Sequence, residues 1–258
     1  MSLVSKHTIL EIGNIVFKYS GHMPLIRNLS FSVSEGEFIG LLGPNGSGKS
    51  TLLKLAGGIL KPSEGRVRLW GKDLQSVPNK DRAKLLCYLP QLLDIGVPFR
   101  VKEIVSMGFY PYDILPKMSV DEALDMVGLR DKAESYITHL SGGERRRAFI
   151  AMTLLQGAGL LLLDEPLANL DIKYQLEIFR LLRYLRKEKN ISIIMALHDI
   201  NIALQFEKVI LMKDGDILCF GSPEDVLTTS LLREAFDVNI EISKQESGEA
   251  YISYGHDI

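Results

Sequence analysis

The chain has 258 residues, 46% hydrophobic and 24% charged, with a formal net charge of −2; this fits a soluble globular protein of one large domain, or one domain with lobes, and offers no electrostatic argument for nucleic acid as the main partner. Cys87 and Cys219 are isolated and lack metal-ligand spacing, so a disulfide framework is not expected and a reducing, cytosolic compartment fits. The opening MSLVSKHTILEIG has no basic flank before an apolar core, so no signal peptide is expected, and no apolar run approaches the ~20 residues that span a bilayer.

In chain order, TILEIGNIVFKY and LSFSVSEGEFIGLLG carry alternating apolar residues broken by the turn signal Glu35-Gly36, and RVRLWGKDL adds a further strand. These predict an antiparallel layer. FIGLLG (Phe38 to Gly43) differs: it is apolar on both faces and runs into a glycine-rich loop. From about Pro98 to Ala158 helical patterns dominate (VKEIVSMGF, SVDEALDMVGL, then an arginine-bearing helix), interrupted by Pro111 and Pro116. They predict a helical lobe inserted in an α/β body. LLLLDEP (Leu160 to Pro166) and ISIIMALHD (Ile191 to Asp199) are continuous apolar runs, the pattern of strands buried on both faces of a parallel sheet. The segment between them places Ile178, Leu181, Leu182 and Leu185 on one helical face, giving a strand–helix–strand unit. After Phe236, NIEIS and AYISY read as two strands around a glycine-containing turn.

GPNGSGKST, comprising Gly43, Pro44, Asn45, Gly46, Ser47, Gly48, Lys49, Ser50 and Thr51, satisfies G-x-x-x-x-G-K-[ST] with a buried strand before it and a helix after it. The glycines let backbone amides turn inward around an anion, and the helix N-terminus adds partial positive charge. Lys49 is placed to reach terminal phosphates, and the Ser50 hydroxyl to hold magnesium.

Asp164 and Glu165 end the strand LLLLD. Alone, such a pair would read as two acids capping a strand at the surface. Open parallel sheets, however, bind ligands at the carboxyl ends of their strands, where the phosphate loop, the acid pair and His198 all fall. Asp164 is then placed to bind magnesium through a shared water, and Glu165 to polarise the attacking water.

The segment HLSGGERRRAFIAMTLLQ (His139 to Gln156) begins with Ser141, Gly142, Gly143 and Glu144. Locally, S-x-x-E is a capping box that stabilises any helix start, with the arginines as a solvated face. The order of phosphate loop, LSGGE and LLLLDEP in one chain, with His198 later, resembles the ATP-binding cassette ATPases over nearly the whole chain. The resemblance implies an α/β fold: a P-loop NTPase (RecA-like) core with an antiparallel β subdomain and an inserted helical subdomain. It implies one domain over 1–258, with β layer and core in 1–91 and 159–235, helices in about 92–158, and a β-hairpin tail in 236–258.

By the same resemblance Tyr19 matches an adenine-stacking aromatic. Gln91 matches a glutamine that contacts magnesium and senses the transport partner, and LANLD (Leu167 to Asp171) a loop crossing the subunit interface. His198 matches a histidine that contacts the terminal phosphate. Ser141 and the glycine amides would bind the phosphate of an ATP held by a second copy, packed head to tail around two ATPs. VPFRVKEIVSMGFYPY and HDINIALQFEKVILMKDGDILCFGSPEDVL resemble the ATPase subunits of iron-siderophore, haem and vitamin B12 importers. That implies a peripheral protein on the cytoplasmic membrane face, ATP as substrate, Mg2+, and separate membrane permease subunits with a substrate-binding protein beyond them. A permease helix would dock near LLDIGVPF. The sequence departs from the pattern at Phe109 (usually arginine), Ala168 (usually serine) and Arg146 (commonly glutamine), and its 111–141 segment is short. An ABC ATPase of another transporter class, or a non-transport cassette acting as a nucleotide-gated binding module, is the competing reading. One cassette without a heptad insert favours transport, and a P-loop kinase or GTPase leaves LSGGE without a role.

Overall fold

The computed structural model describes residues 7–19, 23–91, 96–238, 240–244 and 250–254. The chain forms two compact units, one of Met1–Gln75 with Ile194–Ile258, the other of Ser76–Ile193. The first stretch contains β1 (Thr8–Phe17), β2 (Ile26–Ser34), β3 (Phe38–Leu42), α1 (Lys49–Ala56), β4 (Glu64–Leu69) and β5 (Lys72–Asp73). The middle stretch contains α2 (Asn79–Leu85), β6 (Leu86–Leu89), α3 (Val101–Ser106), α4 (Val120–Met126), α5 (Gly142–Gln156), β7 (Leu160–Asp164) and α6 (Ile172–Lys189). The boundary between units falls within β8 (Ser192–Leu197). There follow α7 (Ile200–Ala203), β9 (Lys208–Lys213), β10 (Asp216–Gly221), α8 (Pro223–Val226), α9 (Thr229–Phe236), β11 (Ile240–Lys244) and β12 (Ala250–Tyr254).

In the first unit, β2-β1-β4-β5 form the antiparallel layer that the alternating strands predict. Its register pairs Leu10 with Val33 and Ile12 with Phe31, then shifts between Ile12 and Ile15, where Asn14 takes φ 48°. This bulge lets Ile15 be buried after Leu10 and Ile12, which strict alternation would not, and a further shift between Thr8 and Leu10 accompanies the burial of adjacent Ile9 and Leu10. A second layer runs β10-β9-β3-β8. Here β3 pairs in parallel with β9, Ile39 opposite Lys208 through Leu42 opposite Leu211. Every residue of β3 and of β8 is buried, as their unbroken apolar runs require. The Phe38 and Phe206 rings stack at 4.3 Å. The tail hairpin pairs Ile240 with Tyr254; the turn between its strands lies outside the described residues. Asn201 of α7 holds it by accepting from the Ile252 amide at 2.8 Å and donating to its carbonyl at 3.2 Å.

In the second unit, β6 and β7 pair in parallel, Leu86 opposite Leu160 through Leu89 opposite Leu163. The 15-residue α5 buries Ala148, Phe149, Ile150, Ala151, Leu154 and Leu155 and ends at Gly157, whose φ of 70° suits a residue without Cβ. Helix α6 buries Ile178, Phe179, Leu182 and Leu185. Leu181, expected on that face, is half-buried, and Phe179 takes the place the pattern gave it. The α2 segment has no buried residue, which is why apolar periodicity does not reveal it. Both cysteines are free, and burial pushes the Cys87 thiol up to about 12. Among the described residues no helix is long and apolar enough to cross a membrane.

Candidate nucleotide site

In the first unit the chain leaves β3 at Leu42 and turns into α1 through Gly43–Gly48. A Cβ on Gly43 would lie 2.4 Å from the Met212 carbonyl oxygen, so only glycine fits there. Gly46 and Gly48 take φ of 81° and 101°, the left-handed region that glycine enters without strain. The turn is closed by the Ser47 amide donating to the Pro44 carbonyl at 3.2 Å and the Gly215 amide to the Ser47 carbonyl at 3.0 Å. Helix α1 has no acidic residue in its first turn, which leaves the charge of its N-terminus unopposed locally.

Lys49 is buried, and its ammonium donates to the Gly43 carbonyl at 2.7 Å and the Pro44 carbonyl at 3.1 Å. The Ser47 hydroxyl oxygen is buried with no hydrogen-bond partner in the protein. Leaving a buried hydroxyl unsatisfied costs about 1–3 kcal/mol. A cationic side chain and an orphaned hydroxyl in one glycine cradle fit a phosphate group. Tyr19 is 47% exposed, its ring edge-on to Phe17 at 4.9 Å. His198, exposed, follows the end of β8; next to it Asp199 caps α7 by accepting from the Asn201 amide at 2.8 Å.

In the second unit, Asp164 ends β7 and is 3% exposed. The Tyr88 hydroxyl, from neighbouring β6, donates to Asp164 Oδ2 at 3.0 Å. Burial first, then the charge and hydrogen bond of Asp164, push the Tyr88 phenol up, so it stays a donor at neutral pH. Glu165 has φ 46°, a left-handed conformation costly for a side chain with Cβ. Gln91 Nε2 donates to Glu165 Oε2 at 2.8 Å. Arg146 of α5 is buried, and its guanidinium donates to the Pro90 carbonyl at 2.9 Å and the Gln91 carbonyl at 2.8 Å. Burial lowers it to about 10 while the Asp164 charge acts the other way, so it remains cationic at neutral pH.

The capping box expected of S-x-x-E is present: the Glu144 amide donates to Ser141 Oγ at 3.3 Å, and Glu144 Oε2 accepts from the Ser141 amide at 2.9 Å. Lys132 pairs with the other carboxylate oxygen. Gly142 is exposed and Gly143 lies under the Tyr174 ring, where a Cβ would be 3.0 Å away. Beyond Glu165, Gln175 Nε2 donates to the carbonyls of Leu167 and Leu170 at 3.3 and 3.0 Å and fixes the LANLD loop.

Of the residues singled out in the sequence, Gly43–Thr51 lie together in the first unit, and Gln91, Asp164 and Glu165 lie together in the second. Ser141–Glu144 open a separate helix start there. Tyr88, Gln175 and Lys132 were not foreseen. Tyr88 carries the one hydroxyl in LLCYLP, and that is the signal that singles it out.

Residues 26–168 match the ABC transporter family. The chain belongs to this family. It is 38% identical over 242 residues to the petrobactin import ATP-binding protein FpuC of Bacillus anthracis, covering 91% of this chain and 89% of that one. Its fold is similar to that of a metal-chelate type ABC transporter solved in an inward-facing conformation (TM-score 0.81, 26% identity, 96% and 97% of the two chains). It is also similar to the ATP-binding cassette MJ0796, solved as a dimer in a post-hydrolysis state with ADP and Pi (TM-score 0.74, 28% identity, 83% and 99%).

Proposed function

We propose that this chain is the ATP-hydrolysing subunit of an importer for iron-siderophore, haem or cobalamin-type metal chelates, working as one ATPase domain at the cytoplasmic membrane face. The contact that carries the hydrolytic reading is Gln91 to Glu165: a neutral amide orients the carboxylate without neutralising it. By family membership, Asp164, Glu165, Gln91, the phosphate cradle and His198 serve one nucleotide, with Tyr19 against adenine.

In this reading the glycine-loop amides and Lys49 hold the phosphates, and Lys49 exchanges its loop carbonyls for phosphate oxygens. Ser47 gains the acceptor or donor it lacks in the protein. Glu165 takes the proton of the attacking water, and His198 steadies the terminal phosphate. Ser50, Gln91 and Asp164 offer a hydroxyl, an amide and a carboxylate, the hard oxygen donors that suit magnesium. When bound, the ion neutralises charge on the β- and γ-phosphates. A second copy, placed head to tail, presents Ser141, Gly142 and Gly143 to the same phosphates, so that each ATP joins two chains and its hydrolysis releases them.

The petrobactin import named for FpuC and the metal-chelate class of the similar transporter favour chelate import, with separate permease subunits and a substrate-binding protein. The permease contact expected at LLDIGVPF lies partly outside the described residues, since Leu92–Ile95 are among those not covered. The test is co-purification from detergent-extracted membranes, followed by ATPase assay with chelate-loaded binding protein. A multi-span partner and chelate-dependent stimulation are expected. Recovery with ribosomes or DNA instead would reject the transport assignment.

A further inference from the structure

We propose that Arg146 is a positioning residue for hydrolysis: from α5 it pins the Pro90–Gln91 backbone so that the Gln91 side chain stays on Glu165. The inference rests on the hydrolytic reading of Glu165 given above. Arg146 is 6% exposed, yet its two terminal nitrogens are spent on successive main-chain carbonyls, Pro90 at 2.9 Å and Gln91 at 2.8 Å. A planar guanidinium donating from two nitrogens to neighbouring carbonyls fixes both position and orientation of that peptide. One residue's side chain further, Gln91 Nε2 reaches Glu165 Oε2 at 2.8 Å. Glu165 itself is held at φ 46°, so its carboxylate is presented from a constrained backbone and is sensitive to what orients it.

The same helix is capped by Ser141, five residues before Arg146, a rise of about 7.5 Å along the axis. Helices move as rigid rods more readily than they stretch. A shift of α5 therefore carries Arg146 with it, and through two hydrogen bonds displaces Gln91 relative to Glu165. The helix that opens with LSGGE is thus tied mechanically to the carboxylate in its own chain, independently of what its N-terminus binds.

The test uses the full-length protein with Mg-ATP and the variants Arg146→Lys and Arg146→Met, each alone and combined with Gln91→Ala. Lysine keeps the charge near Asp164 but lacks the fork, so it separates clamp from charge. For Arg146→Lys we expect kcat to fall by about ten-fold, within the ~10²-fold that a 1 Å misplacement can cost, with KM for ATP and ATP affinity within two-fold of wild type. In the Gln91→Ala background the same substitution should change kcat by less than two-fold, because the group it positions is gone. Full kcat in Arg146→Lys, or equal losses with and without Gln91, overturns the inference while leaving the ATPase reading intact. Absence of hydrolysis by the wild-type chain at any concentration would overturn that reading and this one with it. Arg146→Met removes the donor of the Pro90 and Gln91 carbonyls; if it fails to fold, the lysine cycle still decides.

Discussion

The hydroxyl of Tyr88 donates to Oδ2 of Asp164 at 3.0 Å, from the strand next to the one that Asp164 ends. In the proposed site this hydrogen bond restrains the carboxylate that would meet the cation. Tyr88→Phe removes the donor with little change of shape. A hydrogen bond to a charged group contributes ~1.5–3 kcal/mol, so urea unfolding should show a loss of about that size. The magnesium concentration for half-maximal ATPase activity should rise in the same variant. An unchanged magnesium dependence would show that Asp164 needs no such orientation.

Glu165 invites a comparison of three variants. Glu165→Gln keeps the shape but cannot accept the proton, and hydrolysis should slow by at least ~10²-fold, the scale of lost general-base catalysis, while ATP still binds and traps a dimer. Glu165→Ala and Glu165→Gly should be equally inactive. They should differ in stability, because the site has φ 46° and left-handed backbone costs an L-residue with Cβ roughly 1–2 kcal/mol that glycine avoids. Calorimetry showing the alanine variant as stable as the glycine one would contradict the strain assigned here.

The two glycines of the signature segment should respond differently to substitution. A Cβ at Gly142 would find Leu170 at 3.5 Å, ordinary contact, whereas at Gly143 it would press on the Tyr174 ring at 3.0 Å. Gly142→Asp should therefore fold and bind ATP as a monomer, yet fail to form the ATP-bound dimer, since a carboxylate at that helix start repels phosphate. Gly143→Ala should lower thermal stability. Light scattering that shows Gly142→Asp dimerising with ATP would refute the proposed role of LSGGE toward a second chain.

The phosphate loop, the acid pair and the capping box were legible because each is a local pattern whose geometry follows from its own residues: glycines at fixed spacing, acids at a strand end, serine three before glutamate. The buried strands Phe38–Leu42 and Ser192–Leu197 were legible for the same reason. What stayed hidden depends on partners distant in sequence. Arg146 stood out only as a departure from a pattern, and its carbonyl partners lie 55 and 56 residues away. Tyr88 lies 76 residues from Asp164. The four-residue strand Leu86–Leu89 is too short for its apolar run to declare itself, and the α2 segment buries nothing that would give it a period.

The Glu144 carboxyl is held at about 2, first by the hydrogen bond from Lys132 and then by the Ser141 amide and hydroxyl, against partial desolvation. An unfolded glutamate titrates near ~4.3. The folded state therefore favours the ionised form, and the resulting stabilisation is complete above about pH 5 and is lost as pH falls from about 4 toward 2. Glu144→Gln keeps a capping acceptor but not the charge. It should be less stable than wild type near pH 7, and the gap should narrow near pH 3, where the unfolded wild-type chain has already taken up its proton. Urea midpoints at the two pH values measure this directly; a gap of the same size at both would place the stabilisation in the shape of the cap rather than in the Lys132–Glu144 pair.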